Sequence, residues 1–147
     1  MKRLTRIAFL FVVMAAGAQA GFAADLAAMV DPYLKIQQAL VSDTLDGVKQ
    51  NAAAMATSAT ALGQPAAKIA AAAKDLGTAA DLKAARAAFG ALSDAMVAYA
   101  DSTRAPLGTD VKVAYCPMVK KPWLQKGTLI KNPYYGTSML ECGEIRK

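Results

Sequence analysis

Apolar residues recur at alternating steps of three and four along most of the chain between Asp25 and Thr103. This spacing places the members of each apolar set on one face of a helix. The three longest sets are Leu26, Met29, Tyr33, Ile36 and Leu40, then Leu45, Val48, Ala52, Met55, Ala59 and Leu62, and finally Leu82, Ala85, Phe89, Leu92, Met96 and Tyr99. A shorter apolar segment around Ile69 and Leu76 indicates a fourth helix. The pattern therefore predicts a mainly α fold, an antiparallel four-helix bundle over residues 25–104.

Turn-forming residues fall between these apolar sets. Ser42 and Asp43 are residue types that cap helices, so they predict the start of the second helix. Gly63-Gln64-Pro65 separates the second helix from the short third one, and Gly77-Thr78 ends the third. Such short connections join neighbouring helices that run in opposite directions.

A different pattern begins after Gly108. Val111, Val113 and Tyr115 alternate with other residues as in a short strand, and the sequence that follows is interrupted by proline and glycine. The tail, residues 105–147, holds both cysteines and the single tryptophan of the chain. A segment so rich in Trp, Tyr, Pro and Cys is predicted to be ordered, and to pack on the helices as part of the same domain.

Residues 1–24 have the pattern of a cleavable secretory signal. A basic start precedes an apolar run over residues 7–16, and small residues follow. The basic residues are Lys2, Arg3 and Arg6. The apolar run is shorter than a helix that spans a bilayer. We expect cleavage between Gly21 and Asp25, and a mature protein in the periplasm with no stable insertion in the membrane.

The charge of the chain argues against one class of partner. The chain has 17 basic and 11 acidic side chains, and loss of the three basic residues in the signal lowers its formal charge from +6 to +3. A protein that binds nucleic acid needs a clustered basic surface. We therefore expect no nucleic acid as partner.

The composition also argues against a cofactor inside the helices. The chain has no histidine, and the inward helix positions carry no Glu at the spacing that di-iron bundles require. Met29, Met55, Phe89 and Met96 are instead predicted to pack in the core. Without histidine, and with few carboxylates near the tail cysteines, we expect no enzymatic activity.

Each cysteine of the tail lies close to a methionine, Cys116 to Met118 and Cys142 to Met139. Pro117 stiffens the first pair, and the step of three puts the second pair on one face if that stretch makes a helical turn. Two thiolates and two thioethers form a soft ligand set that selects Cu(I) or Ag(I), whereas zinc would require a further Cys or a His. The candidate metal ligands are therefore Cys116, Met118, Met139 and Cys142.

A disulfide is the competing interpretation of the same cysteines. Exported proteins usually oxidise a cysteine pair. A bridge between Cys116 and Cys142 would stabilise the fold by about 3 to 4 kcal/mol, because it restricts the unfolded chain. The protein would then be a disulfide-stapled structural or protein-interaction domain with no metal. Trp123 also has two interpretations, as an aromatic ring beside the metal or as an anchor of the tail in the core.

Several motifs resemble those of a bacterial family catalogued as domain of unknown function 3347. In the tail they are YCPM at 115–118, WLQ at 123–125, NPYYG at 132–136, and ML followed by CGE between 139 and 144. YLKIQQALVSD at 33–43 and FGALSDAMVAY at 89–99 are similar to the helical segments of the family. The connection from the Met to the Trp is shorter here than in many members.

The resemblance implies a cellular context. Members occur as small exported proteins and as domains attached to periplasmic adaptor subunits of heavy-metal efflux pumps, which implies a role in copper or silver handling. The four sulfur residues match the tail motifs at 115–118 and 139–144. We therefore expect a periplasmic protein that buffers Cu(I) or Ag(I), or hands it to an efflux adaptor or another copper-handling protein.

Overall fold

The structure, a computed structural model, describes residues 16–146 of the chain. Four α-helices make up most of this part: α1 (Ala16–Val41), α2 (Val48–Ala61), α3 (Ala67–Gly77) and α4 (Leu82–Thr103), with a 3-10 turn at Gln64–Ala66. Three strands follow: β1 (Val111–Cys116), β2 (Lys121–Lys126) and β3 (Glu144–Ile145). The mainly α fold is thus confirmed. Residues 1–15 of the predicted signal lie outside the described residues.

None of the helices in the described part is both long enough and apolar enough to cross a membrane. The four helices follow the apolar sets of the sequence, but the start of α2 differs from the prediction. Ser42 and Asp43 do not cap α2, which begins later in the chain; they form a turn at the end of α1. Asp43 has a positive φ of 54°, and its carboxylate binds Arg86 and Thr137. The capping prediction was wrong here because partners far along the chain engage the Asp43 side chain.

The apolar faces of the helices form the core. α2 packs on α1 and α3, and α4 packs on α3 and α1. Met29, Met55, Phe89 and Met96 are fully buried, which confirms their predicted place in the core. Alanine fills many of the remaining buried helix positions. The core thus combines many small alanine side chains with large apolar side chains from all four helices.

The strands form an antiparallel sheet in the order β2-β1-β3. The sequence predicted β1 but missed the other two strands. In β2 the run Pro122–Gln125 is buried throughout, so this strand lacks the alternating pattern by which strands are found. β3 has only two residues. On β1 the buried side chains are Ala114 and Cys116, whereas the predicted apolar positions of that strand are only partly buried.

Two tyrosine hydroxyls attach β2 to its surroundings. The hydroxyl of Tyr33 in α1 accepts a hydrogen bond from the backbone N–H of Leu124 (3.1 Å), and it shares another with Oγ of Ser93 in α4 (2.6 Å). The hydroxyl of Tyr134 donates to the carbonyl oxygen of Pro122. Burial raises the pKa of both tyrosines far above the ordinary value, so both hydroxyls stay neutral.

A partly buried ion pair between Asp43 and Arg86 joins the helices to the tail. Thr137 of the tail binds the carboxylate of this pair. Arg86 of α4 binds Asp43, and it also donates to the carbonyl oxygens of Leu40 and Pro133 (3.0 Å each). The second carboxylate oxygen of Asp43 accepts from the backbone N–H of Thr137 (3.2 Å) and from its hydroxyl. The hydrogen bonds from Thr137 and Arg86 hold the pKa of Asp43 below its ordinary value. We call Asp43, Arg86 and Thr137 the clamp.

Replacement of Gly136 by alanine tests whether the clamp constrains the tail. Gly136 has a positive φ of +55°, and a Cβ there would collide with the Asp43 carboxylate and the Arg86 guanidinium. We expect Gly136→Ala to lower the free energy of unfolding, measured by urea denaturation, by about 3 kcal/mol. This loss is the sum of the cost of backbone strain and the cost of displacing the clamp residues.

The matched control is Gly127→Ala. Gly127 also has a positive φ of +72°, but a Cβ there would meet only Oδ2 of Asp110, at 3.9 Å. This variant should lose only about 1 kcal/mol, from backbone strain alone. Equal losses in the two variants would show that the clamp does not constrain Gly136.

Candidate functional site

Cys116 is the last residue of β1 and lies at the start of the hairpin turn that leads to β2. Pro117 to Lys120 form the turn, in which Lys120 has a positive φ of 55°. The turn directs the backbone N–H groups of Met118 and Val119 to the Cys116 sulfur, which accepts hydrogen bonds from both. Cys116 is fully buried. The turn therefore surrounds this sulfur with fixed donors.

Cys142 reaches the same place from the other side of β1. β3 pairs with β1 at Tyr115 and Ala114, so the residues just before β3 lie beside Cys116. A tight turn precedes β3, in which the N–H of Cys142 donates to the carbonyl oxygen of Met139 (3.2 Å). The step of three from Met139 to Cys142 was compatible with a helical turn, and the structure has this tight turn there instead. The structure thus brings the two cysteines near enough for each thiol to change the pKa of the other.

Asn132 joins both cysteines and is fully buried. Its side-chain amide donates to the carbonyl oxygen of Cys142 (2.6 Å), and its interaction with the Cys116 sulfur lowers the pKa of that thiol. Its side-chain oxygen accepts from the N–H of Tyr134 (2.8 Å), and its own N–H donates to the carbonyl oxygen of Leu140 (2.8 Å). One side chain thus fixes the separation of the two cysteine segments.

The two thiols differ in acidity. Burial raises the pKa of the Cys116 thiol, but hydrogen bonds from Val119, Asn132, Met118 and Cys142 outweigh that effect and lower the pKa below the ordinary value. The pKa of Cys142 is raised by burial, by its hydrogen bond to Cys116 and by the negative charge there. Cys116 is therefore the cysteine that ionises first, and Cys142 stays a neutral thiol beside its thiolate.

The two predicted thioether ligands belong to side chains that are exposed to solvent. Met118 is 57% exposed in the hairpin turn, and Met139 is 36% exposed in the turn before Cys142. The backbone of each methionine bonds to the cysteine of its own motif, Met118 to the Cys116 sulfur and Met139 to the Cys142 N–H. The structure thus places both thioethers next to the thiols in the chain and leaves them accessible.

Trp123 is fully buried in β2, which confirms its interpretation as an anchor of the tail. Its Nε1 donates to Oε1 of Gln125 (3.0 Å), and its ring meets the ring of Tyr134 edge-on, with centroids 6.0 Å apart. A Cβ at Gly143 would strike the Trp123 ring, so the ring packs on bare backbone next to Cys142. Contact between Trp123 and a metal ion stays a prediction.

Both cysteines are free thiols in the structure. The disulfide between Cys116 and Cys142 stays a prediction. Among residues 16–146, no three His, Cys, Asp or Glu side chains gather into a group that would hold a metal ion. A metal at this site would therefore depend on the two thiolates and on the thioethers.

Asn132 is the site residue that the sequence analysis missed. There it was only one letter of the NPYYG motif, in a segment that resembles a turn. An asparagine directly before proline indicates a turn, which is correct here, but it gives no sign that the side chain is buried. Its contacts with Cys116 and Cys142 join segments far apart in the sequence, and no local pattern encodes them.

A titration of the reduced protein should resolve two thiolate ionisations. The ultraviolet absorbance of thiolate should rise in two steps, one at a pH below the ordinary cysteine pKa of about 8.5 and one at a pH above it. The two steps belong to the thiols as a coupled pair. Asn132→Ala should move the first step to higher pH, because the Cys116 thiolate loses a donor. Gln37→Ala removes another buried amide, one that donates to the carbonyl oxygen of Lys131 (2.9 Å), and should leave the first step unchanged. A single step at the ordinary value in the unmutated protein would contradict this account.

Comparison with known proteins gives one match. A family model described as protein of unknown function (DUF3347) matches residues 29–106. The match runs from α1 through α4 and ends before β1, so it covers the helices and not the cysteines of the tail. No curated protein and no solved structure matches the chain. Because the match spans more than half of the 147 residues, the chain belongs to the family of proteins of unknown function DUF3347.

Proposed function

We propose that this protein binds Cu(I) or Ag(I) through Cys116 and Cys142, and that it buffers the ion or passes it to a periplasmic partner. One observation carries the proposal: the fold brings two cysteines from distant segments beside each other, at a place where the backbone N–H groups of Val119 and Met118 and the amide of buried Asn132 lower the pKa of the Cys116 thiol. Such donors favour the thiolate form, which is the form that ligates metals.

The environment of the thiolate favours a soft cation over other occupants. A buried anion is costly unless it is paired, and hydrogen bonds stabilise the charge of the Cys116 sulfur without neutralising it. A monovalent soft ion held between the two sulfurs would offset one negative charge, and when both cysteines bind as thiolates the site keeps one. Zinc is a poorer fit, because its structural sites use four nitrogen or sulfur ligands and are closed to solvent. Thiolate and thioether ligands together favour Cu(I).

Met118 and Met139 complete the proposed ligand set from the solvent side. Their exposure makes their thioethers the first sulfur atoms that an arriving ion would meet, before it reaches the buried sulfur of Cys116. A thioether is a neutral ligand and binds without losing a proton. An accessible outer pair of sulfurs is suited to exchange of the ion with a partner, and this supports buffering or delivery over permanent storage.

The setting belongs to the proposal as well. We propose that residues 1–24 are removed on export, that the protein acts in the periplasm, and that its partner is an efflux adaptor or another copper-handling protein. We further propose that the four helices form an antiparallel bundle, which the packing of α2 on α1, α3 on α2 and α4 on α3 supports. In this arrangement the helices serve as the scaffold for the tail.

Thiol–disulfide exchange fits the pair less well, which supports a binding role over an enzymatic one. An exchange enzyme needs its more acidic thiol at the surface, where that thiol attacks an external disulfide. Here the order is reversed, because Cys116 has the lowered pKa and is fully buried, whereas the more exposed Cys142 has the raised pKa.

Joint replacement of Met118 and Met139 by leucine tests the thioether ligands. The change conserves volume and should cost less than about 1.5 kcal/mol of stability at each site. Both thiols remain. We expect the double variant to fold normally and to bind Cu(I) at least about tenfold more weakly, measured by competition with a Cu(I) chelator at fixed pH, because two thioether donors are lost.

A second pair of methionines provides the matched control. Met55 and Met96 are fully buried in the helices, so Met55→Leu with Met96→Leu makes the same chemical change away from the tail. This control should compete with the chelator as the unmutated protein does. If Met118→Leu with Met139→Leu also competes equally well, then the methionines are not ligands, and the four-sulfur site is wrong.

The disulfide-stapled domain without metal is the alternative function, and it gives a different result in a simple assay. Protein isolated from the periplasm under anaerobic conditions and alkylated at once should carry two blocked thiols if the pair is a metal site. The mass of intact protein measures this directly. A mass without alkylation, together with no uptake of Cu(I) after reduction, would favour the disulfide-stapled structural or interaction domain.

A further inference from the structure

An open cleft lies between α4 and the turn of the β1–β2 hairpin. Its volume is about 670 Å³, within the range of about 300 to 1,000 Å³ that is usual for small-molecule sites. Its apolar lining includes Val119 of the hairpin turn, Tyr134 and the exposed Ala87 of α4. The cleft thus has the size and the apolar lining of a ligand site.

The charged side chains that line this cleft are all basic, namely Lys83, Arg86 and Lys121. Arg86 binds Asp43 and Lys121 binds Asp94, and neither acid lines the cleft. Within the described part of the chain, Lys83 has no acidic partner. Lys83 is therefore the basic side chain of the lining whose charge no ion pair offsets in the described part of the chain.

Arg86 also has a side-chain nitrogen, Nη1, that is not used in its contacts with the other described residues. Its Nε and Nη2 atoms are engaged by Pro133, Leu40 and Asp43. Its Nη1 atom has no hydrogen bond to another residue in the part that the structure describes. A guanidinium has only donors, so Nη1 can donate to an acceptor that enters the cleft. Lys83 lies one helical turn before Arg86, on the same face of α4.

We propose that this cleft binds a small organic carboxylate that carries a hydrocarbon group. The carboxylate would lie beside the Lys83 ammonium and Nη1 of Arg86, and the hydrocarbon group would lie against Val119, Ala87 and Tyr134. A carboxylate offers the opposite charge to Lys83 and an acceptor to Nη1 of Arg86. The site needs no metal, so it stands apart from the proposed function of the thiol pair.

Octanoate is a suitable probe, because it combines a carboxylate with an alkyl chain. We expect it to bind with a Kd of about 1 mM, and to shift the NMR amide signals of Val119 and Lys83. Acetate has the charge without the chain, and octanol has the chain without the charge. Each should bind at least about tenfold more weakly than octanoate.

Two variants locate the probe in the cleft. Lys83→Gln should weaken octanoate binding about threefold, because an exposed charge is lost. Ala87→Leu places a larger side chain in the lining of the cleft and should weaken octanoate binding about tenfold or more. Lys49→Gln, an exposed lysine of α2, is the matched control and should bind as the unmutated protein does. Equal octanoate binding in all these proteins, or octanol that binds as well as octanoate, would overturn the proposal.

Discussion

The buried amide of Asn132 is the interaction on which the arrangement of the tail depends. A buried polar side chain must satisfy its donors and acceptor within the protein, since water does not reach it. Asn132 does so by bonding to the end of the hairpin at Cys116 and to the segment that enters β3 at Cys142. Loss of the amide would leave buried groups without partners on both segments. The thiol pair, β3 and the turn before it are therefore held by one side chain.

The tail also contributes to the core that the helices form. Alanine occupies many buried helix positions, and the tail adds the large buried side chains of Trp123, Leu124 and Tyr134 to those of the helices. The ring of Tyr134 packs on Phe89 with centroids 5.9 Å apart, and Phe89 packs on Tyr33 at 5.0 Å. With Trp123 on the other side of Tyr134, aromatic rings run without a gap from α1 into the sheet. Helices and tail therefore contribute to one hydrophobic core.

The sequence predicted what depends on local pattern and missed what depends on contacts far along the chain. The four helices follow apolar periodicity, and β1 follows alternation. β2 was missed because it is buried on both faces, and Asp43 was taken for a cap because its partners Arg86 and Thr137 are distant in sequence. For the site, the cysteines and methionines were found from their types, whereas Asn132 was missed. Residue type indicates which chemistry is available, but only the fold indicates which groups surround it.

The tyrosine hydroxyls at β2 have a consequence for association between molecules. β2 is an edge strand, and an edge strand with free backbone groups invites pairing with a strand of another chain. Here Pro122 has no N–H to offer, its carbonyl oxygen is taken by Tyr134, and the outward N–H of Leu124 is taken by Tyr33. The opposite edge, β3, is only two residues long. Two tyrosine side chains thus protect the β2 edge of the sheet from pairing with another chain. The β3 edge is too short to pair extensively.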